Sequence, residues 1–290
     1  MRTEAEMMEL IMGVAEGNDL VRAVLMSGSR ANPSAPRDKF QDYDIVYLVT
    51  SVEPFAADRG WIDVFGERMI MQMPEPFAEG QLCYLMQFMD GNRIDLTLVP
   101  VDGDQAGLFD DQLTVVLLDK DGRVPELPPP TDADRWVRPP SREQYDKCCN
   151  EFWWVSNYVA KGLWRQEILY ATWHLDHVVR EMLLTMLEWE AGVRTGFSVS
   201  VDKCRKYLEA YIPAASWQAL MRTYAAGNYA ACWDALFAAC ELFRTTARRV
   251  GEEFGFEYPT DDDQRVTAHL QQVRAETSAW SGSRRPQGSA

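Results

Sequence analysis

The sequence predicts an α+β architecture, a mixed β-sheet with helices followed by an all-helical bundle. Three observations predict it. Six short apolar runs of strand length lie in the first half, a proline cluster begins at Pro125, and long runs at helical spacing follow it. A chain of 290 residues is long enough for two cores. The expected boundaries are a sheet domain over 1–135, a helical substrate-binding bundle over 136–258, and a partly disordered C-terminal tail over 259–290.

The first element is a helix, because Thr3 and Glu6 form a T-x-x-E capping box ahead of Met7, Leu10, Ile11 and Val14. Strand-length runs come next at Val21–Met26, Ile45–Val49, Met69–Met73, Leu82–Met89 and Ile94–Val99. Asp90-Gly91-Asn92 between the last two is a tight-turn signal for an antiparallel hairpin. Thr114–Leu118 adds a further strand before Asp119-Lys120-Asp121-Gly122. The prolines from Pro125 to Pro140 can continue neither a helix nor a central strand and mark the linker. Ser141 and Gln144 then cap a helix over Tyr145–Lys161. Further helices are expected over Glu167–Trp189, Val201–Tyr211, Ala214–Tyr224 and Tyr229–Phe254.

Composition narrows the function. With 29 Lys and Arg against 44 Asp and Glu, the formal charge is −15, which argues against a nucleic-acid partner because phosphate contacts need clustered cations. It suits a cationic small molecule or a polyanion escorted by metal. No apolar run approaches membrane-spanning length, and the acidic N-terminus is no signal peptide. Six cysteines without a C-x-x-C pair read as reduced thiols, so the expectation is a cytoplasmic protein with no membrane and no obligate protein partner.

The chemistry concentrates in two places. Gly28 and Ser29 fall where a strand ends, so backbone can approach a ligand there and a hydroxyl beside free N–H groups can hold a phosphate oxygen. Asp42 and Asp44, two apart on the next strand, leave the same face, and two adjacent carboxylates repel unless a cation lies between them. Hard oxygens at that spacing suit Mg²⁺ bound also to a triphosphate. In Arg93–Leu98 the alternation puts Ile94, Leu96 and Leu98 on one face and Arg93, Asp95 and Thr97 on the other. An aspartate inside such a strand must be paired or metal-bound. Asp95 is therefore a site candidate, the alternative being a simple pair with Arg93 at a sheet edge.

This ordered set resembles the polymerase-β-like nucleotidyltransferase superfamily, and most of the chain resembles the aminoglycoside 6-adenylyltransferases, also called streptomycin adenylyltransferases. The resembling blocks are Met1–Glu9, Gly28-Ser29-Arg30-Ala31-Asn32, Phe40–Asp44, Ile94–Leu98, Tyr145–Trp153, Tyr158–Leu163, Glu190–Phe197 and Ala235–Arg244; the likeness fades near Pro259. The resemblance implies a nucleotidyltransferase fold and transfer of AMP from Mg-ATP to the 6-hydroxyl of streptomycin, with release of pyrophosphate and inactivation of the antibiotic. It implies Asp42, Asp44 and Asp95 as catalytic and metal-holding acids. Asp95 then either completes a second metal position or accepts the hydroxyl proton. Gly28, Ser29, Arg30 and, from the second half, Lys161 would hold the nucleotide.

Asp146, Asn150, Glu151 and Trp154 span two turns of the first bundle helix and form a polar stripe ending in an aromatic, a candidate face for the drug. Nucleotide on the sheet half and aminoglycoside on bundle residues is the expected division of labour. His174, His177 and Glu181 share one helix face, but nothing nearby completes a zinc set, so they read as a polar face. Asp261-Asp262-Asp263 reads as a solvated helix start. Two rivals remain open: a nucleotidyltransferase acting on another aminoglycoside, a lincosamide or a protein, and a catalytically silent nucleotide-binding module.

Overall fold

Along Tyr43–Val49 the side chains alternate between the core and a more open face, with Tyr43, Ile45 and Tyr47 buried. That period of two makes a sheet strand with one face committed to packing. The computed structural model describes residues 1–280 apart from 76, 77, 104 and 106, and the chain divides into two units, Met1–Asp134 and Arg135–Ala290.

In the first unit, α1 (Glu4–Glu16) starts at the expected capping box and buries Met7, Ile11 and Ala15 at helical spacing. The six expected strands form as β1 (Val21–Ser27), β2 (Tyr43–Val49), β3 (Arg68–Gln72), β4 (Leu82–Phe88), β5 (Arg93–Pro100) and β6 (Val115–Asp119). They make one mixed sheet in the order β3-β4-β5-β2-β1-β6, with β2 and β5 parallel and the other neighbours antiparallel. The Asp90–Asn92 turn joins β4 to β5, and Gly91 there takes φ +87°, which glycine adopts without a Cβ penalty. On one face α1 covers the core, and the Tyr47 hydroxyl donates to the Ile11 carbonyl at 2.6 Å, fixing helix to sheet. The other face carries a smaller cluster of Ala23, Leu48 and Val99. Asp44 and Asp95 belong to that second face, since Asp44, Val46 and Leu48 alternate together, as do Asp95, Thr97 and Val99. Between β1 and β2 lies a single helical turn, α2 (Gly28–Ala31); between β2 and β3 lie a short α3 (Glu53–Ala57) and a 3₁₀ turn over Arg59–Phe65.

The second unit is helical. α4 (Arg142–Trp164) opens on the Ser141–Gln144 capping box and runs three residues past the expected end at Lys161. The helix expected over Glu167–Trp189 is interrupted: α5 (Ile168–His174) passes through a π-turn at Leu175–Val179 into α6 (Arg180–Thr195). The helix expected over Val201–Tyr211 does not form as such. Asp202, Cys204 and Arg205 take positive φ, so only a 3₁₀ turn at Lys203–Arg205 and one turn, α7 (Leu208–Tyr211), remain. The tertiary pull there is the Arg205 guanidinium, which pairs with Glu181 and Glu188 on α6. α8 (Ala214–Arg222) and α9 (Tyr229–Phe254) form close to expectation, α9 capped by Asn228 at its start and by left-handed Gly255 at its end.

The largest departure is at the C-terminus. Where a partly disordered tail was expected from 259, the chain forms α10 (Thr260–Trp280), whose Leu270 is buried in the bundle core. The remainder of that expected tail, 281–290, lies outside the described residues. The expected solvated start is corrected in part, because Asp261 and Asp262 are exposed but Asp263 is 2% exposed. Its carboxylate accepts from Arg244 Nε at 2.5 Å and Nη2 at 2.6 Å, from the Tyr258 hydroxyl at 2.9 Å and from the Thr267 hydroxyl at 3.0 Å. Trp153 Nε1 donates to the Tyr258 hydroxyl at 3.2 Å, so one buried network ties α10 to α4 and α9.

Candidate active site

The register of the sheet assembles the acids. β2 pairs with β5 so that Asp44 lies opposite Asp95, while on the other side Asp44 lies opposite Ser27 at the end of β1. Asp42 sits one residue before β2 begins, close to Asp95 through a shared partner. Arg93 donates from Nε and Nη2 to the two Asp95 oxygens, both at 2.7 Å, and its Nη1 reaches Asp42 at 3.5 Å. The pairing of Asp95 with Arg93 is therefore real, but β5 is an interior strand and not an edge. Both acids stay partly accessible, at 35% for the Asp42 side chain and 20% for Asp95, so a ligand can reach them.

Electrostatically, burial pushes the Asp42 carboxyl above its ordinary value. Arg93 pulls it back, nearby Asp95 pushes it up again, and the net direction is upward. This is a carboxylate whose charge is incompletely compensated, and more positive charge beside it would be favourable.

Gly28 makes room for one of the acids. It takes φ +70°, and a Cβ built there would stand 2.1 Å from Asp44 Oδ2, so the Asp44 carboxylate lies directly over the glycine. Ser29 follows in the α2 turn, and its carbonyl accepts from Gln41 Nε2 at 3.2 Å. The Gln41 side-chain oxygen is itself buried with no donor, an open acceptor next to this turn. Arg30 is 7% exposed and its guanidinium is already engaged. It donates to the carbonyls of Asp42 (3.1 Å) and Gln41 (2.8 Å), pairs with Glu4 at 3.2 Å, and stacks 3.7 Å over the Tyr43 ring. In this arrangement Arg30 fixes the backbone that presents Asp42.

Among the described residues no three His, Cys, Asp or Glu side chains close a metal cage. Magnesium does not need one. It retains waters and takes one or two carboxylates together with substrate phosphates. Asp42 and Asp44, hard oxygen donors on one face beside the open Gly28 turn, fit that mode. His174, His177 and Glu181 do not form a metal site: His174 Nδ1 lies 2.8 Å from the Tyr170 carbonyl, His177 stacks on Trp173, and Glu181 pairs with Arg205.

In the helical unit, α4 and the start of α10 enclose a cavity of about 930 Å³. Asp146, Asn150 and Trp154 line it, whereas Glu151 is exposed and does not. The opposite wall brings Glu257, which the sequence did not single out, and Asp261 and Asp262, whose expected place was a solvated helix start. Arg142 pairs with Asp146 at 2.8 Å and Arg265 with Asp261 at 3.4 Å; Glu257 and Asp262 have no ion pair among the described residues. Four acids against two arginines leave the lining net negative, with Trp153, Trp154 and Tyr258 as aromatic surface. Lys161 stands outside this lining. It is exposed near the end of α4, with its ammonium 4.7 Å from the Tyr158 ring centre and 5.6 Å from that of Tyr170.

A sequence model of the family described as streptomycin adenylyltransferase matches residues 1–273. An aminoglycoside 6-adenylyltransferase of Bacillus subtilis (strain 168) is 39% identical over 94% of this chain and 98% of its own length. One from Campylobacter jejuni is 39% identical over 91% and 93%. Among solved structures, an aminoglycoside 6-adenyltransferase from Bacillus subtilis is 36% identical and covers 94% of this chain and 99% of that one, with a TM-score of 0.48.

Proposed function

Because the chain belongs to the streptomycin adenylyltransferase family, we propose that it transfers AMP from Mg-ATP to the 6-hydroxyl of streptomycin, releasing pyrophosphate and inactivating the drug. The observation that carries the reading is the placement of Asp44 opposite Asp95 and over Gly28, with Asp42 beside them.

Each residue has a physical task. Gly28 leaves room for the Asp44 carboxylate at the turn where the polyphosphate would lie, and the Ser29 hydroxyl is a donor for a phosphate oxygen. Asp42 and Asp44 would hold the Mg²⁺, which when bound neutralises charge on the triphosphate. Asp95, oriented by both nitrogens of Arg93, accepts the proton of the attacking hydroxyl. The new bond joins the drug oxygen to the α-phosphorus, the bond from that phosphorus to the α,β-bridging oxygen breaks, and pyrophosphate leaves with the electron pair. Arg93 keeps the acids from repelling one another before the nucleotide arrives. Arg30 is a positioning group for Asp42. Lys161, an exposed cation, suits the nucleotide phosphates.

For the acceptor, streptomycin carries guanidinium groups, and the net-negative cavity between α4 and α10 offers carboxylates and aromatic faces for them. Asp146, Asn150 and Trp154 supply one wall, while Glu151 is exposed and outside the lining. A reaction that uses ATP implies a cytoplasmic setting; no helix among the described residues is long and apolar enough to cross a membrane.

The test is transfer of label from α-labelled ATP with Mg²⁺ to a panel of acceptors, with mass spectrometry to locate the AMP. Labelled streptomycin modified at the 6-hydroxyl, lost in Asp44→Asn, is the expected result. Transfer only to a different aminoglycoside, a lincosamide or a protein would replace the acceptor. Absence of any transfer would overturn the reading.

A further inference from the structure

The helical unit holds a second cavity, of about 360 Å³, lined by residues from the end of α6, the start of α8 and the later part of α9. Its lining includes a buried acid with an unmet need. Glu190 is 4% exposed; its Oε1 accepts from Arg249 Nη1 at 2.6 Å, and its Oε2 has no donor at all. A buried carboxylate oxygen without a donor is costly, so it marks a place where a donor is wanted.

The other polar residues of the lining want the opposite, and Val193, Pro213, Ala215 and Val250 complete the walls. Ser216 is 5% exposed and its hydroxyl makes no hydrogen bond among the described residues. It stands in the first turn of α8, whose N-cap is Pro213 with no side-chain cap, so the N–H groups of that turn have no intrahelical acceptor. Arg194 is exposed and spends only Nε, on the Tyr211 carbonyl at 3.1 Å. Arg249 is half-exposed. Two guanidinium groups, a hydroxyl and a helix start are donors awaiting an anion, placed around one acceptor that an ordinary anion would repel.

A tetrahedral oxyanion bearing its own proton satisfies both demands. We propose that this cavity binds a protonated phosphate group, free or as a small phosphomonoester. Its P–OH donates to Glu190 Oε2, while its other oxygens accept from Arg194, Arg249, Ser216 and the α8 N–H groups. Sulfate, fully deprotonated at neutral pH, would set lone pair against lone pair at Glu190 and is excluded. None of these residues takes part in the proposed adenylyl transfer.

The experiment is calorimetric titration and thermal melting of the full chain with inorganic phosphate, sulfate and glycerol 3-phosphate at constant ionic strength. Phosphate binding at least tenfold tighter than sulfate is expected. Glu190→Gln, which puts an amide donor in place of the acceptor, should reduce or invert that preference. Arg194→Gln, at an exposed position where folding is not at stake, should weaken phosphate severalfold. That variant also separates this cavity from phosphate binding at the Gly28 turn. Stronger binding of the ester would identify a phosphomonoester as the ligand, and binding of inorganic phosphate alone the free ion. Equal affinity for phosphate and sulfate, or phosphate binding unchanged in Arg194→Gln, would overturn the proposal even if Glu190→Gln failed to fold.

Discussion

At Gly28 one missing methyl group decides whether the site exists. A Cβ there would collide with Asp44 Oδ2, and the positive φ penalises any L side chain besides. Gly28→Ala should therefore lower the melting temperature by a few degrees, since left-handed backbone costs an L residue about 1–2 kcal/mol, and should displace the Asp44 carboxylate. Displacement of about 1 Å at a reacting centre costs roughly a hundredfold in rate, so kcat/KM for ATP is expected to fall at least that far. Steady-state kinetics with unaltered turnover would show that Asp44 has no part in holding the nucleotide. The drug side has its own residue-scale contrast. Asp146 and Asp262 line the α4–α10 cavity and Glu151 does not. Asp146→Asn and Asp262→Asn should raise the streptomycin KM severalfold with the ATP KM unaffected, and more than Glu151→Gln does. The reverse ranking would move the drug to the outer side of α4.

Among elements, α10 shows how one buried acid can recruit a helix. Asp263 is the point where α9, α10 and Tyr258 converge. Burial pushes its carboxyl upward, but the Arg244, Tyr258 and Thr267 hydrogen bonds with the Arg244 charge outweigh that, and it titrates below the usual aspartate range. A carboxyl whose folded value is depressed contributes its full stability above the unfolded value and loses it as pH falls through the folded one. Asp263→Asn should thus destabilise the chain near neutral pH by about 2 kcal/mol, less than a fully buried pair because Arg244 keeps some water contact. In melting experiments that is a drop of roughly 4–8 °C. The gap between wild type and variant should narrow as pH is lowered, and a gap that stays constant down to strongly acidic pH would rule out the ion pair as its source. Because Tyr258 and the start of α10 also line the α4–α10 cavity, the same variant is expected to raise the streptomycin KM.

For the whole molecule, a formal charge of −15 sets the electrostatic background. The sheet acids are held together by one arginine, and the helical cavity is net negative. Mg-ATP should raise the melting temperature by mass action, while ATP with chelator should do so far less, because the nucleotide alone adds negative charge beside Asp42 and Asp44. Equal shifts with and without Mg²⁺, read by scanning fluorimetry, would count against a shared metal site. Raising ionic strength from 0.05 M to 0.5 M, which shortens the screening length from roughly 14 to 4 Å, should raise the streptomycin KM, since its cations meet partly solvated carboxylates.

The sequence by itself determined the periodic features. Alternation in Tyr43–Val49 and Arg93–Pro100 defined strands and put Asp42, Asp44 and Asp95 on the open face, and the Thr3 and Ser141 boxes marked where two helices begin. These were legible because a period of two, a period of 3.6 and a side-chain cap are local properties of the chain. What only the tertiary structure decided is every feature that depends on a distant partner. The parallel register that sets Asp44 against Asp95 joins strands about fifty residues apart, with no local signal for the pairing. Arg93 was visible two residues before Asp95, but its reach to Asp42 required that register. The break at Val201–Tyr211 follows from Arg205 pairing with α6, which overrides helix propensity. The helix from Thr260 was hidden by a polar sequence with a weak apolar stripe, and it is fastened by Asp263 to an arginine nineteen positions away. Local periodicity specifies elements; only the folded chain, by bringing remote charges within hydrogen-bond reach, specifies which of those charges become a site.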